Sequence, residues 1–379
     1  MLNKKNWLTR TGFVFASLLG VVAANAQDPA CPYNIASIQG TFATVAPYGN
    51  SIAVSLAVRI ADGKGNINAT FITNQPLAGS TTGERTITSG ANKATYTVNC
   101  DGSGFTNRIA TLPDGTTSIG VDDFLITKSV LRNGQLIATE IQDAQRTPSA
   151  IVLGGVFLTR NMTLRPDTGT ACYTLESLQG SYGVANSYGA HVALGLQAEI
   201  LDGRGNLTRT GFLNQPTAGS PTGARTIGTV TSRGTYTVNC NGMGTITRLV
   251  TRPDGTTASA ADDFVITEAV ERDGKLIATT IVDAQRDPSV IVPGGVFLTR
   301  VHTLRSFPDP KAILQLASSL QFLACGTTPP VTSCQTTVNV WNYYLSYGLG
   351  SSAPPLVVGD GSRSFTVVQY LEARVAAGL

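Results

Sequence analysis

Apolar and polar residues alternate one by one along most of this chain, in short runs broken by glycine-rich turns. A period of two sends successive side chains to opposite faces of an extended strand. Residues 36–165 hold eight such runs, which predict strands at roughly Gly40–Ala46, Ile52–Ala61, Ile67–Asn74, Arg85–Asn99, Gly104–Leu112, Asp123–Leu131, Leu136–Ala144 and Gly155–Leu164. Between them Asp62-Gly63, Asp101-Gly102, Asp114-Gly115 and Asn133-Gly134 supply glycine where hairpin turns need a positive φ. A bend is expected at Gly90 within the fourth strand. No segment of this unit sustains the 3.6-residue apolar period of a helix.

The whole pattern occurs twice. Thr95-Tyr-Thr-Val-Asn-Cys100-Asp-Gly-Ser-Gly104 returns 140 residues on as Thr235-Tyr-Thr-Val-Asn-Cys240-Asn-Gly-Met-Gly244. At that offset Ser37 to Arg165 aligns without a gap with Ser177 to Arg305, and roughly half the positions are identical. A unit of about 130 residues is the size of a whole domain. The expected organisation is a signal peptide at 1–26, a first repeat at 27–165, a second at 166–305 and an extension at 306–379. Eight antiparallel strands joined by hairpins make an up-and-down barrel or a sandwich, and closure favours the barrel because it removes edge strands without long crossovers. The expected fold class is therefore all-β, two tandem eight-stranded antiparallel barrels with a small C-terminal α+β appendage.

A family resemblance rests on the order of the matched blocks. These are Ile38-Gln-Gly40 with Leu178-Gln-Gly180, Asp62-Gly-Lys-Gly-Asn66 with Asp202-Gly-Arg-Gly-Asn206, the Tyr-Thr-Val-Asn-Cys runs, and Pro113-Asp-Gly-Thr116 with Pro253-Asp-Gly-Thr256. Phe124-Leu-Ile-Thr127 with Phe264-Val-Ile-Thr267 completes the set. The chain resembles a group of secreted bacterial proteins whose barrel is similar to allene oxide cyclase and dirigent proteins, in the wider calycin group. The resemblance covers residues 36–165 and 176–305. It implies a fold and no activity, since turn residues carry most of it and no catalytic position of the plant cyclases matches this sequence.

Comparing the copies assigns faces. In the seventh strand Ile137, Thr139, Ile141, Asp143 and Gln145 recur unchanged, whereas Glu140 becomes Thr280 and Gln142 becomes Val282. The unchanging face is expected to line the interior. In the sixth strand Phe124, Ile126 and Val130 form the matching apolar face, with Asp122 at a mouth of the barrel; Asp143 and Asp283 are expected near a mouth as well. An eight-stranded barrel is either filled by its own side chains or holds one small ligand.

Residues 1–26 have the form of an export signal: Lys4, Lys5 and Arg10, an apolar run from Phe13 to Ala24, and a cleavage site at Ala24-Asn25-Ala26. The run is too short to span a membrane, so no transmembrane segment is expected after cleavage, and the protein is expected to be periplasmic or secreted. Export points the six cysteines toward disulfides rather than metal. Cys31 and Cys172 precede the first strand of their units, and Cys100 and Cys240 end the fourth. A single ancestral domain would have held both partners, which favours Cys31–Cys100 and Cys172–Cys240, with Cys325–Cys334 by proximity. The rival scheme joins Cys31 with Cys172 or Cys100 with Cys240. Without Lys4, Lys5 and Arg10 the chain carries 24 basic and 24 acidic residues, which argues against a nucleic-acid binder. In the extension, Asp309-Pro310 opens a helix with Ile313, Leu316, Leu320 and Leu323 on one face, and Trp341, Tyr343, Tyr344 and Tyr347 cluster beyond it.

Chemistry is sparse. The two histidines, His191 and His302, stand where the first copy has Ser51 and Met162, so the repeated unit does not need them, and a histidine triad or metal site is not expected. The carboxylates of Asp122 and Asp123 should not converge, because neighbouring strand residues face opposite ways. The remaining candidates are ligand-binding: Asp122, Asp143, Arg108 and Arg146, with Asp262, Asp283, Arg248 and Arg286 in the second copy. Arg160 and Arg300 recur beside them, closing barrel ends over carboxylates or forming an anion-binding rim. No cofactor is expected. The leading expectation is a non-catalytic exported protein that binds a small apolar or amphipathic ligand or a surface partner; the alternative is a cyclase or isomerase acting inside the barrel.

Overall fold

The computed structural model describes residues 31–48, 53–77, 79–150, 157–166, 172–188, 194–217, 220–252, 254–288, 297–306, 356–358 and 363–365. The signal segment, His191, the Cys325–Cys334 pair and the helix expected from Asp309 lie outside them. The first repeat forms β1 (Gln39–Tyr48), β2 (Ala53–Asp62), β3 (Asn66–Pro76), β4 (Arg85–Val98), β5 (Ser103–Thr111), β6 (Thr117–Arg132), β7 (Gln135–Thr147) and β8 (Thr159–Leu164). The second forms β9 (Gln179–Tyr188), β10 (Leu194–Asp202), β11 (Asn206–Pro216), β12 (Arg225–Val238), β13 (Met243–Thr251), β14 (Thr257–Arg272), β15 (Lys275–Asp287) and β16 (Leu298–Ser306). Within each repeat every strand pairs antiparallel with the next, and the last closes on the first, giving two closed barrels. Closure satisfies the strand edges that an open sheet would leave bare. A separate hairpin joins β17 (Leu356–Val358) and β18 (Arg363–Phe365). Among the described residues no helix is long and apolar enough to cross a membrane.

One end of each barrel is capped by its own lead-in. In the first, Asn34 caps a short 3-10 turn, Ile35–Ser37, and the Tyr96 hydroxyl donates to the Ile38 carbonyl at 2.6 Å. The second repeats this with Tyr236 and Leu178 at 2.8 Å. Cys31–Cys100 and Cys172–Cys240 tie these lead-ins to the ends of β4 and β12, the within-unit pairing that the doubling favours. Under each cap lies an apolar core: Phe42, Ile67, Tyr96, Phe124, Ile126 and Ile141 in the first barrel, Tyr182, Leu207, Tyr236, Phe264, Ile266 and Ile281 in the second.

Two face assignments from simple alternation need correction. The β6–β7 ladder shifts register between Ile126 and Lys128 and again before Ser129. A bulge inserts one residue and reverses which side chains point inward. Beyond it Ala138, not Ile137, joins the interior cluster, and Val130, directly across from Ile137, is left 40% exposed. Ile137 is buried but stands outside that cluster. Phe124, Ile126 and Ile141, on the near side of the shift, point inward as expected.

The barrels dock through unlike faces. The first contributes the outer face of β1–β3: Ala43, Val54, Leu56 and Val58 are buried there, with Ile72 packed against them. The second contributes the outer face of β14 and β15, with Val265, Ala284 and Phe297 buried and Met243 and Val282 alongside. Asn74 donates its side-chain amide to the Gln285 carbonyl at 2.5 Å, and the Arg85 guanidinium lies over the Phe297 ring at 4.1 Å. Arg165, just past β8, reaches the Asn241 carbonyl at 2.7 Å.

Candidate functional site

Above the apolar core each barrel carries a buried layer of charge, and alternation builds it. In the first barrel Asp122 (β6), Asp143 (β7), Arg160 (β8), Arg59 (β2) and Arg108 (β5) all point inward. Asp143 and Arg160 are direct cross-strand partners, and Arg160 Nη1 lies 2.8 Å from Asp143 and 3.1 Å from Asp122. Arg108 Nε approaches Asp122 at 2.8 Å and Arg59 reaches Asp143 at 3.3 Å. Burial works against the Asp122 charge, but Arg160 and Arg108 outweigh it and hold its pKa below the usual carboxylate range. Burial also pulls Arg160 down, and Asp143 and Asp122 reverse that to raise it.

The second barrel keeps four of these residues. Arg300 contacts Asp283 at 2.8 Å and Asp262 at 2.9 Å, and Arg248 contacts Asp262 at 2.6 Å. The rest of the layer is rewritten. Where the first barrel has Arg59, Ala69 and Met162, the second has Glu199, Arg209 and His302. Glu199 and Arg209 are cross-strand partners 2.6 Å apart. His302 sits between Glu199, at 2.5 Å from Nδ1, and Asp283, at 2.9 Å from Nε2. Burial opposes its charge, but the Glu199 charge and the Asp283 hydrogen bond raise its pKa. Burial likewise opposes the Glu199 charge, and Arg209 and His302 overcome it to set its pKa at about 2.

Of the candidates named from sequence, Asp122, Asp143 and Arg108 thus meet in one interior, and Asp262, Asp283 and Arg248 in the other. Both carboxylate pairs are buried within the ion-pair layer, not at a mouth as expected. Arg146 and Arg286 do not join them. Each is thrown to the outer face, where Arg146 pairs with Asp123 and Arg286 with Asp263 at 3.1 Å. The divergence of Asp122 and Asp123 follows from strand alternation, as expected. Arg59, Glu199 and Arg209 are not singled out by the sequence, and His302, set aside there because the first copy has Met162, proves to be part of the buried layer. The one signal is a change of charge or polarity between the copies at Arg59/Glu199, Ala69/Arg209 and Met162/His302, and it lies among the roughly half of aligned positions that differ.

Beside this layer the first barrel has a cavity of about 10 Å³, bounded by Arg59, Thr106, Phe124 and Met162. That is room for about one water molecule. The larger space lies outside, in a cleft of about 360 Å³ between the barrels. Ala43, Val45 and Val54 face Val282 and Val301 across it, with Asn161, Thr163, Thr267 and Thr299 among the polar groups on its walls. Arg300 is the one charged residue among the described lining residues, and Asp262 and Asp283 already match it.

No protein-family model matches the chain, and no curated protein matches it. Among solved structures it is similar to a double mutant of the vaccine antigen transferrin binding protein B from Haemophilus parasuis Hp5, at 9% identity over 68% of this chain and 65% of that one, with a TM-score of 0.20. The chain therefore spans just under two thirds of the length of that protein. It is also similar to the DNA polymerase accessory subunit of Kaposi's sarcoma-associated herpesvirus, at 9% identity over 71% of this chain and 91% of that one, with a TM-score of 0.11. Neither likeness assigns this chain a partner or an activity.

Proposed function

We propose that this chain is an exported, non-catalytic binding protein that takes a small amphipathic ligand in the cleft between its two barrels. The cleft itself carries the reading. Its volume falls within the range of small-molecule sites, and its apolar walls with a few polar groups are the usual lining of such sites. With Arg300 already matched, the cleft favours an uncharged polar head on an apolar body. In this reading Asp122, Asp143, Arg108 and their counterparts hold the barrels in shape, and the ligand lies outside them. The two disulfides support an oxidising, extracytoplasmic setting. The up-and-down strand order supports kinship with allene oxide cyclase and dirigent-like barrels.

Titration of the purified protein with a fluorescent long-chain alcohol tests the reading. Saturable one-site binding is expected, and Thr163→Trp, which fills the cleft from β8, should weaken it by at least about tenfold, or ~1.4 kcal/mol. No saturable binding, or binding indifferent to Thr163→Trp, would refute it.

A further inference from the structure

The docking of the two barrels uses each of two faces once, and duplication has made each face twice. The repeat equivalent of the β1–β3 face that the first barrel buries is the β9–β11 face of the second. There Leu194, Leu196 and Phe212 replace Val54, Leu56 and Ile72, and stand 52%, 58% and 67% exposed. The docking polar groups Asn74 and Arg85 recur unchanged as Asn214 and Arg225. The equivalent of the β14–β15 face that the second barrel buries is the β6–β7 face of the first. There Leu125 and Phe157, matching Val265 and Phe297, are 49% and 47% exposed, and Ala144 and Gln145 match Ala284 and Gln285. One chain therefore leaves open a counterpart of each half of the contact it makes internally, with Gln142 and Ser103 standing where the buried half has Val282 and Met243.

We propose that these two faces dock on one another between copies, so that the protein assembles head to tail with itself. The occupant follows from the contact already formed: the β9–β11 face of one copy covers the β6–β7 face of the next as β1–β3 covers β14–β15 within a chain. Arg225 of one copy then lies over Phe157 of the next, and Asn214 donates to the Gln145 carbonyl. Exposed apolar side chains of this size and spacing mark a contact surface. In each barrel the buried and open faces centre about three and a half strands apart by the shorter way around the closed sheet, so they share no strand. A contact between unlike faces does not end at two copies; it continues into a ring or a filament. Leu194, Leu196, Phe212, Leu125 and Phe157 do not line the cleft between the barrels.

Sedimentation velocity of the mature protein over a concentration series tests it. The mean mass should climb past a dimer as concentration rises. Leu196→Asp and Leu125→Asp each spoil one open face with an outward-pointing charge, so each variant alone should remain monomeric, with an unchanged circular dichroism spectrum. Mixed in equal amounts they retain one complementary pair of faces, and should form a dimer and nothing larger. A second measurement needs no charged variant: Phe157→Cys combined with Arg225→Cys should give a ladder of bismaleimide-linked multimers. A wild-type protein monomeric at every concentration would overturn the proposal, as residues 307–379 seated on the β9–β11 face would produce. So would assembly that needs Leu196 but not Leu125, which means like faces pairing with like.

Discussion

At the scale of single residues the two interiors solve one problem differently. Three guanidiniums (Arg59, Arg108, Arg160) face two carboxylates in the first barrel, whereas Arg209, Arg248, Arg300 and His302 face Glu199, Asp262 and Asp283 in the second. Removing one partner from a buried ion pair strands the other, at a cost of about 3–5 kcal/mol. Glu199→Arg should therefore destabilise the second barrel by about that much. Combining it with Arg209→Ala and His302→Met rebuilds the first barrel's arrangement and should recover most of the loss, a non-additivity that urea unfolding of the single and triple variants would measure. Asp263 carries a different prediction. Burial beside Ala284 raises its pKa to about 6 despite Arg286. A group whose folded pKa lies above its unfolded value of 3.8 favours the fold at low pH and loses that contribution as pH rises through the folded pKa. Melting temperatures of the wild type should carry this loss between about pH 4 and pH 6, and the difference from Asp263→Asn should show it.

At the scale of strands and turns, most of the fold was legible in the sequence. Alternation and Asp-Gly or Asn-Gly turns place the eight strands, because both reflect local backbone chemistry. The β6–β7 bulge was not legible, since Thr127 and Thr139 look like ordinary strand residues, and so Ile137 and Val130 were assigned to the wrong face. Gly104 is an intermediate case. It marks the turn after Cys100, but its second task is clearance. A Cβ there would sit 2.0 Å from the Thr97 carbonyl oxygen and 2.4 Å from the Phe124 ring, and Gly244 repeats both distances. Gly104→Ala should cost about 1–3 kcal/mol by overpacking, and more if β5 cannot shift. Ile141→Ala, deep in the same core, should cost about 2–5 kcal/mol. Replacing both Cys31 and Cys100 by alanine frees the lead-in that caps this core, and should cost about 2–5 kcal/mol in unfolding under oxidising conditions.

At the scale of the whole molecule two closed barrels are joined by an apolar contact. Leu56 lies on the docking face and contributes nothing to the interior of its own barrel. Leu56→Asp should leave both barrels intact and uncouple them, so that scanning calorimetry resolves two transitions where the wild type gives one. This contact was not visible in the sequence, because an outward-facing valine or leucine in a strand looks the same whether water or another barrel covers it. The candidate site was half legible for a related reason. Repetition flagged the shared Asp and Arg residues, while Glu199, Arg209 and His302 matter through their differences from the first copy.

Those differences also bear on how the gene can change. Two tandem copies this alike invite unequal crossing-over, which would splice the front of one repeat to the back of the other. The rewritten positions lie on β2, β3 and β8, or β10, β11 and β16, so any exchange between the third and eighth strands separates them. A hybrid with the first repeat's front and the second's back would enclose Arg59 with His302 and lack Glu199. The reciprocal hybrid would set Glu199 and Arg209 beside Met162. Each hybrid loses a matched charge in a closed interior, and so should be less stable than either parent repeat.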